Sequence, residues 1–113
     1  MLKTRAIGLC GAALLVAGSA HAEGGDAKAG HATAQETCTR CHAIGEDGKS
    51  VSPNKAAPTF RSVANMSTTT PLGLRVFLNT PHPTMPNFIL SRKEVDDLIA
   101  YILSLRTETP SRS

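Results

Sequence analysis

The stretch Cys38-Thr39-Arg40-Cys41-His42 decides how the rest of this sequence is interpreted. Its two cysteines are three positions apart, so on one helical turn both thiols point to the same side. The histidine follows the second cysteine directly and places an imidazole beside the two thiols. The remaining cysteine, Cys10, lies near the amino terminus, outside the segment that we expect to fold.

This spacing is the C-x-x-C-H pattern of covalent haem attachment. A zinc site needs a second pair of ligands, and His31 and His82 are single and far apart. A thioredoxin-type redox pair needs a βαβ setting that the sequence lacks. A structural disulfide is the remaining alternative, although it would close a short loop of little structural value. We therefore predict one haem c, bound through Cys38 and Cys41, with His42 as a ligand of the iron.

The amino-terminal residues 1–22 have the composition of a secretory signal peptide. Two basic residues precede an apolar or small stretch from Ala6 to Ala17, and Ala20-His21-Ala22 supplies the small residues that signal peptidase accepts. The apolar stretch is shorter than the roughly 20 residues of a membrane-spanning helix. We therefore expect export to the periplasm and one folded domain over residues 23–113, with a flexible tail over residues 107–113.

Composition narrows the classes of protein further. The chain of 113 residues has twelve basic and nine acidic residues. Two of the basic residues belong to the signal peptide, so the exported chain is almost neutral and gives no support for nucleic-acid binding. The sequence has no tryptophan and only three phenylalanines. A domain of about 90 residues is marginal on its own, and a large apolar cofactor would supply the missing core.

Two helices are predicted in the first two thirds of the exported chain. Asp26 is a good N-cap for an alanine-rich helix that runs towards Cys38. Thr70 can cap a second helix over residues 71–79, in which proline occupies the favoured first position. Both helices are followed by long loops rich in glycine, proline and polar residues.

The third predicted helix has the clearest signal. Ser91 and Glu94 form a capping box. An apolar stripe with helical spacing follows it, made of Val95, Leu98, Ile99, Ile102 and Leu103. No segment alternates polar and apolar residues as a strand does, so we predict an all-α fold.

The iron needs a sixth ligand or an open position. Met85 lies in Pro83-Thr84-Met85-Pro86-Asn87, where the prolines reduce the entropy that the loop loses when it holds a sulfur at the iron. The alternatives are that Met85 only fills a gap under the loop, or that His82 binds and gives a bis-histidine haem of lower potential. Met66 is interpreted as a core residue and His31 as a surface or helix-end histidine. Met85 is the predicted ligand.

These residues together resemble the monohaem class I c-type cytochromes, which are small exported electron carriers. The resemblance covers nearly the whole exported chain: the first helix, the attachment site, Met85-Pro86 and the last helix. It implies a cytochrome c-like fold, three or more helices and long loops around one haem, in which the first and last helices cross at Gly30 and Tyr101. It also implies that the Pro58 carbonyl accepts a hydrogen bond from His42.

The sequence departs from the family pattern in two ways. Ala34 stands where many relatives carry an aromatic residue, so we expect a looser crossing of the first and last helices. No tryptophan is present to bond a haem propionate. The alternative donors are Arg61, Arg75, Asn87 and Tyr101.

The resemblance implies a periplasmic one-electron carrier between a dehydrogenase or membrane complex and an acceptor. The alternatives are a haem-bearing subunit of a dehydrogenase complex and a gas- or peroxide-reactive haem protein. Basic residues outnumber acidic ones between positions 40 and 93, which predicts redox partners with acidic docking surfaces. These basic residues are Arg40, Lys49, Lys55, Arg61, Arg75, Arg92 and Lys93.

Overall fold

The computed structural model describes residues 24–107, together with Gly11 and Ala13. The described residues form four helices: α1 (Ala27–Thr37), α2 (Phe60–Asn65), α3 (Pro71–Leu78) and α4 (Arg92–Ser104). Within residues 24–107 there is no strand, and the predicted all-α fold is confirmed. Apart from Gly11 and Ala13, the predicted signal peptide lies outside the described residues, as does the tail beyond residue 107.

Three helices begin at the caps that the sequence predicts. The Asp26 carboxylate accepts backbone N–H groups of the first turn of α1, and the Thr70 hydroxyl does the same for α3. At α4 both hydrogen bonds of the capping box between Ser91 and Glu94 are present. Each cap satisfies donors that would otherwise have no partner within the helix.

Helix α2 is not predicted by the sequence analysis. It has six residues, which are too few to show an apolar period. Thr59 caps it by accepting the N–H of Ser62 at 3.0 Å, and it buries Phe60 and Ala64. The N–H of Phe60 donates to the carbonyl of Ala43 at 2.9 Å. Helix α2 is therefore tied to the chain just after His42.

The core is centred where α1 crosses α4. A Cβ atom on Gly30 would lie 1.9 Å from the Asp97 carbonyl oxygen and 2.9 Å from the Tyr101 Cβ, so a side chain at this position would collide with α4. The predicted contact of Gly30 with Tyr101 is confirmed. Ala34 is fully buried one turn further along α1. Helix α4 supplies most of the remaining core, namely Val95, Leu98, Ile99, Ile102 and the following Leu105.

Two side chains tie distant parts of the chain to this core. The buried Tyr101 hydroxyl donates to the carbonyl oxygen of Ile44 at 2.5 Å, which connects α4 to the loop after the attachment site. The Arg106 guanidinium donates to the carbonyl oxygens of Ala64 and Thr69. Among the described residues, no helix is long and apolar enough to cross a membrane.

Candidate haem-binding site

The attachment sequence forms one tight turn at the end of α1. Cys38 is the C-cap of the helix, and its N–H donates to the Ala34 carbonyl at 2.8 Å. The N–H groups of Cys41 and His42 both donate back to the Cys38 carbonyl, at 3.2 and 2.9 Å. The turn therefore keeps the two cysteines and the histidine close together at one end of the α1–α4 pair.

Both thiols are free in the described structure, because neither Cys38 nor Cys41 forms a disulfide there. Both side chains are partly buried. Burial raises the pKa of the Cys38 thiol to about 11, so this thiol is protonated at neutral pH. Two free, partly buried thiols in one turn suit thioether formation.

The His42 ring is held by the hydrogen bond that the family resemblance implies. Its Nδ1 lies 2.6 Å from the carbonyl oxygen of Pro58. A carbonyl oxygen can only accept, so Nδ1 carries the proton of this hydrogen bond and Nε2 is the nitrogen available to face a metal. The Phe60 ring packs at a tilt beside the imidazole, with 5.5 Å between ring centroids. A neutral imidazole that donates from one nitrogen to a carbonyl is the usual state of a metal-ligating histidine.

Met85 and Cys38 line the same apolar cleft. The cleft lies between the end of α1, the end of α3, the loop before α4, and Leu98 of α4. Phe77, Leu78, Phe88 and Leu90 give it a largely apolar wall. His42, Cys41 and Pro58 are not part of this wall. The structure thus brings one attachment thiol and the predicted sulfur ligand together, and it places His42 against Pro58 and Phe60.

The other candidates for the sixth position separate into two groups. His82 also lines the cleft, and its ring stacks on Phe77 with 3.8 Å between centroids. Met66 is 47 % exposed, so its assignment to the core is wrong. His31 lies on α1, and its ring contacts the ring of Tyr101 on α4 edge to face. Only His82 therefore shares the cleft with Met85.

The donor set fits haem c. Two thiols in one turn, an imidazole with a fixed tautomer and a thioether in an apolar cleft match what the cofactor requires. Apolar side chains on α3 and the loop after it are exposed, which suits a large flat apolar group; they are Leu72, Val76, Phe77, Phe88 and Ile89. Among the described residues no three His, Cys, Asp or Glu side chains cluster as a metal site would need.

Three of the four candidate propionate donors are engaged elsewhere. Arg61 donates to a backbone carbonyl of the loop before it, and the Tyr101 hydroxyl donates to Ile44. Arg75 lies 2.5 Å from a carboxylate oxygen of Asp96, in an ion contact that lacks hydrogen-bond geometry. Asn87 lines the cleft and is exposed. It is therefore the candidate whose side chain is placed towards the site.

Two aromatic residues of the site were missed by the sequence analysis as functional residues. Phe60 packs on His42, and Phe77 stacks on His82. The chain has only four aromatic side chains. Because aromatic side chains are so few in a domain that needs an apolar cofactor, each of them could have been considered a candidate for the wall of the cofactor site.

Comparisons with known proteins show the family to which the chain belongs. Residues 25–102 match the family described as Cytochrome C oxidase, cbb3-type, subunit III, and the chain belongs to this family. It is a small monohaem c-type cytochrome with covalently bound haem c, and it takes part in electron transfer. Cytochrome c-552 from Bradyrhizobium diazoefficiens is 38 % identical over 99 residues, which cover 88 % of this chain and 93 % of that protein. No solved structure matches the chain significantly.

Proposed function

We propose that the protein is an exported, periplasmic one-electron carrier rather than an enzyme. Its haem c is attached through Cys38 and Cys41, and the iron is held between His42 and Met85. The observation that carries this proposal is the apolar cleft that Met85 shares with Cys38. With His42 and Met85 as its two protein ligands, the haem iron would have no position free for a substrate.

Each residue of the site has a part in setting the redox equilibrium. The haem iron, when bound, accepts and releases one electron between its ferric and ferrous states. The hydrogen bond from His42 to Pro58 makes the imidazole a better donor. The soft sulfur of Met85 favours the ferrous state and raises the potential. The apolar wall acts in the same direction, because low polarity disfavours the extra positive charge of the ferric site.

Substitution of Met85 tests the proposed ligation directly. Ferric wild-type protein should show the charge-transfer band of a sulfur–iron bond. The band should be absent in Met85→Ala and retained in His82→Ala, which serves as the matched control from the same loop. The potential of Met85→Ala should fall by at least about 59 mV, a tenfold change in the reduction equilibrium. A band that survives in Met85→Ala, or that disappears in His82→Ala, would contradict the assignment.

A permanent subunit of a larger redox complex, as in the dehydrogenase alternative, is the second candidate function. The family description, which names an oxidase subunit, favours it. Size-exclusion chromatography of a native periplasmic extract separates the two. A carrier elutes at the size of a single chain, whereas a subunit elutes with its complex. Amino-terminal sequencing of the same material tests the signal peptide, and we expect the exported chain to begin at Glu23.

The charged surface supports partners with acidic docking surfaces. The positive charges of Arg75 and Lys93 are partly neutralised, since each side chain lies 2.5 Å from a carboxylate of α4. Basic side chains on the loops between α1 and α2 stay exposed, including Arg40, Lys49 and Lys55. These exposed cations would steer an acidic partner towards the attachment turn.

Small charged oxidants test this steering without knowledge of the partner. Oxidation by ferricyanide should slow several-fold, up to about tenfold, as ionic strength rises from low to physiological, and oxidation by a cationic ruthenium ammine should not. Lys49→Gln with Lys55→Gln should reduce the salt dependence. Lys28→Gln, an exposed change on α1, is the control. Salt-independent rates with both oxidants would disprove the steering.

A further inference from the structure

The rings of Phe77 and His82 are stacked on each other, and both line the apolar cleft. Their centroids are 3.8 Å apart and their planes are 28° from parallel. Phe77 belongs to the last turn of α3, and His82 follows it by five residues in the loop that leads to Met85. Both rings line the same cleft as the Met85 side chain.

The backbone reversal that creates this stack is fixed by hydrogen bonds. The Thr80 hydroxyl donates to the Val76 carbonyl at 2.6 Å, and the Thr80 N–H donates to the Phe77 carbonyl at 3.2 Å. The Asn79 side chain donates to the Arg75 carbonyl at 2.8 Å. These bonds end α3 and turn the chain back over its own last turn.

Two prolines restrict the histidine further. Pro81 precedes His82 and Pro83 follows it, and each ring fixes one backbone angle of its own residue and limits the residue before it. The imidazole is therefore presented to Phe77 by a stiff segment. Such a segment can hold a side chain in one place at little further cost in entropy.

His82 needs a restraint because it competes with Met85. The two residues are three positions apart and face one cleft. An imidazole is a stronger donor than a thioether for ferric iron, and bis-histidine ligation lowers the potential. Without a restraint on His82, the sequence would supply two rival ligands for one position.

We propose that Phe77 is a positioning residue whose ring holds His82 away from the iron and so leaves the sixth position to Met85. The proposal rests on the proposed ligation by His42 and Met85. The interaction free energy of a stacked aromatic pair stabilises the position of His82 in the stack. Loss of this free energy should raise the ratio of His82-bound to Met85-bound iron by about twofold to tenfold.

Three variants of the holoprotein test the proposal. Phe77→Leu removes the stack and keeps an apolar side chain, and Phe77→Tyr is the matched control that keeps an aromatic ring. Phe77→Leu combined with His82→Asn removes the competing imidazole. Electron paramagnetic resonance of the ferric proteins distinguishes histidine–methionine from bis-histidine iron. A guanidinium titration below global unfolding makes the minor form measurable.

We expect Phe77→Leu to form bis-histidine iron at lower guanidinium concentrations than wild type, with a lower potential. Phe77→Tyr should behave as wild type, and the double variant should form no bis-histidine iron, because it lacks the imidazole of His82. A Phe77→Leu titration that superimposes on wild type overturns the proposal. Bis-histidine iron that persists in the double variant also overturns it, because another histidine would then be the competitor. Wild-type protein without a methionine-ligated signal would instead refute the proposed function itself.

Discussion

At the scale of single residues, the orientation of the His42 imidazole depends on a hydrogen bond to one carbonyl oxygen. The bond from Nδ1 to Pro58 spans 2.6 Å, and Pro58 follows His42 by 16 positions in a loop without regular structure. The position of that loop depends on its neighbours. Phe60, at the start of α2, packs beside the ring and bonds back to the chain at Ala43. The orientation of the proposed ligand His42 is therefore decided by the neighbouring residues Pro58 and Phe60.

Tyr101 fixes the loop after the attachment site through a hydrogen bond to another backbone carbonyl. Its hydroxyl donates to the buried Ile44 carbonyl at 2.5 Å, and both residues are less than 10 % exposed. Tyr101→Phe would leave that carbonyl without its partner, so we expect a loss of about 1–3 kcal/mol in the free energy of unfolding at neutral pH. Guanidinium unfolding of the holoprotein measures this loss.

The same variant carries a pH signature. Burial, with a smaller contribution from the charge of Glu46, raises the pKa of Tyr101 above its ordinary value of 10.0. The unfolded chain therefore releases this proton first, and wild-type stability falls as pH rises above about 10. The difference in the free energy of unfolding between wild type and Tyr101→Phe should therefore become smaller above about pH 10. Ser104→Ala is the control: its hydroxyl donates to the backbone carbonyl of Tyr101, so its loss should cost about 1 kcal/mol and should not change with pH in this range. A gap that widens at alkaline pH would disprove this role of the hydroxyl.

At the scale of secondary-structure elements, α1 and α4 are joined by a carboxylate as well as by close packing. Asp97 is buried on α4, and its Oδ1 accepts the N–H of Asp26, the N-cap of α1, at 2.8 Å. Its Oδ2 accepts from Lys93 Nζ at 2.5 Å. Gly25 lies against the same stretch of α4, where a Cβ would be about 2 Å from the backbone. The start of α1 is thus fixed in position relative to α4.

Asp97→Asn tests this connection through its pH dependence. The hydrogen bond from Lys93, and to a lesser degree that from Asp26, holds the pKa of Asp97 below its ordinary value of 3.8. A lowered carboxylate pKa stabilises the folded protein above the unfolded value, and this contribution is lost as pH falls through the folded value. We expect Asp97→Asn to lose about 1 kcal/mol at neutral pH, because Lys93 is 75 % exposed and solvent screens the pair.

Below about pH 4 the difference between Asp97→Asn and wild type should shrink, since wild type then loses the same contribution. Glu36→Gln, an exposed change on α1, is the control and should leave the dependence of stability on pH unchanged. Thermal unfolding between neutral and acid pH supplies the measurement. A constant difference across that range would show that the charge on Asp97 does not join the helices.

The elements differ in how far the sequence could predict them. Helices α1, α3 and α4 were predictable because a cap residue and a helical apolar pattern are local signals. Helix α2 was not, since it is one and a half turns long and its stability comes from Phe60 packing into the core. The contact of Gly30 with Tyr101 followed only from the family resemblance, because no local pattern connects residues that far apart.

At the scale of the whole molecule, the site divides in the same way. Cys38, Cys41 and His42 form one contiguous motif, so the motif alone predicts them. The bond from Tyr101 to Ile44 spans 57 positions, and the stack of Phe77 on His82 depends on how α3 ends. These contacts form only in the folded chain, and neither the residue types nor their spacing in the sequence predicts them. The exposure of Met66 shows the same limit, because an isolated methionine gives no indication of its surroundings.

The distribution of apolar side chains predicts how the protein behaves without haem. The buried core consists mainly of α4 packed on α1, whereas α3 contributes only Leu74 and leaves Leu72 and Val76 exposed. A core of this size supplies about 3–5 kcal/mol at most. We therefore expect Cys38→Ser with Cys41→Ser, which prevents attachment, to retain α1 and α4 while α3 and the Met85 loop lose their fixed packing.

Hydrogen exchange of that double variant should show protected amides in α1 and α4 and near-random exchange in residues 71–90, where local stability falls towards zero. Met85→Ala is the matched control, because it removes the proposed sulfur ligand and keeps both cysteines for haem attachment. The control should unfold cooperatively, with α3 still protected, if the attached haem covers the exposed apolar side chains of α3 and of the loop after it, as we propose. Equal protection of α3 in the two variants would mean that covalent haem is not what organises this half of the molecule. In that case the packing of Leu74 and the capping hydrogen bonds of Thr70 and Thr80 would be sufficient to hold α3 in place.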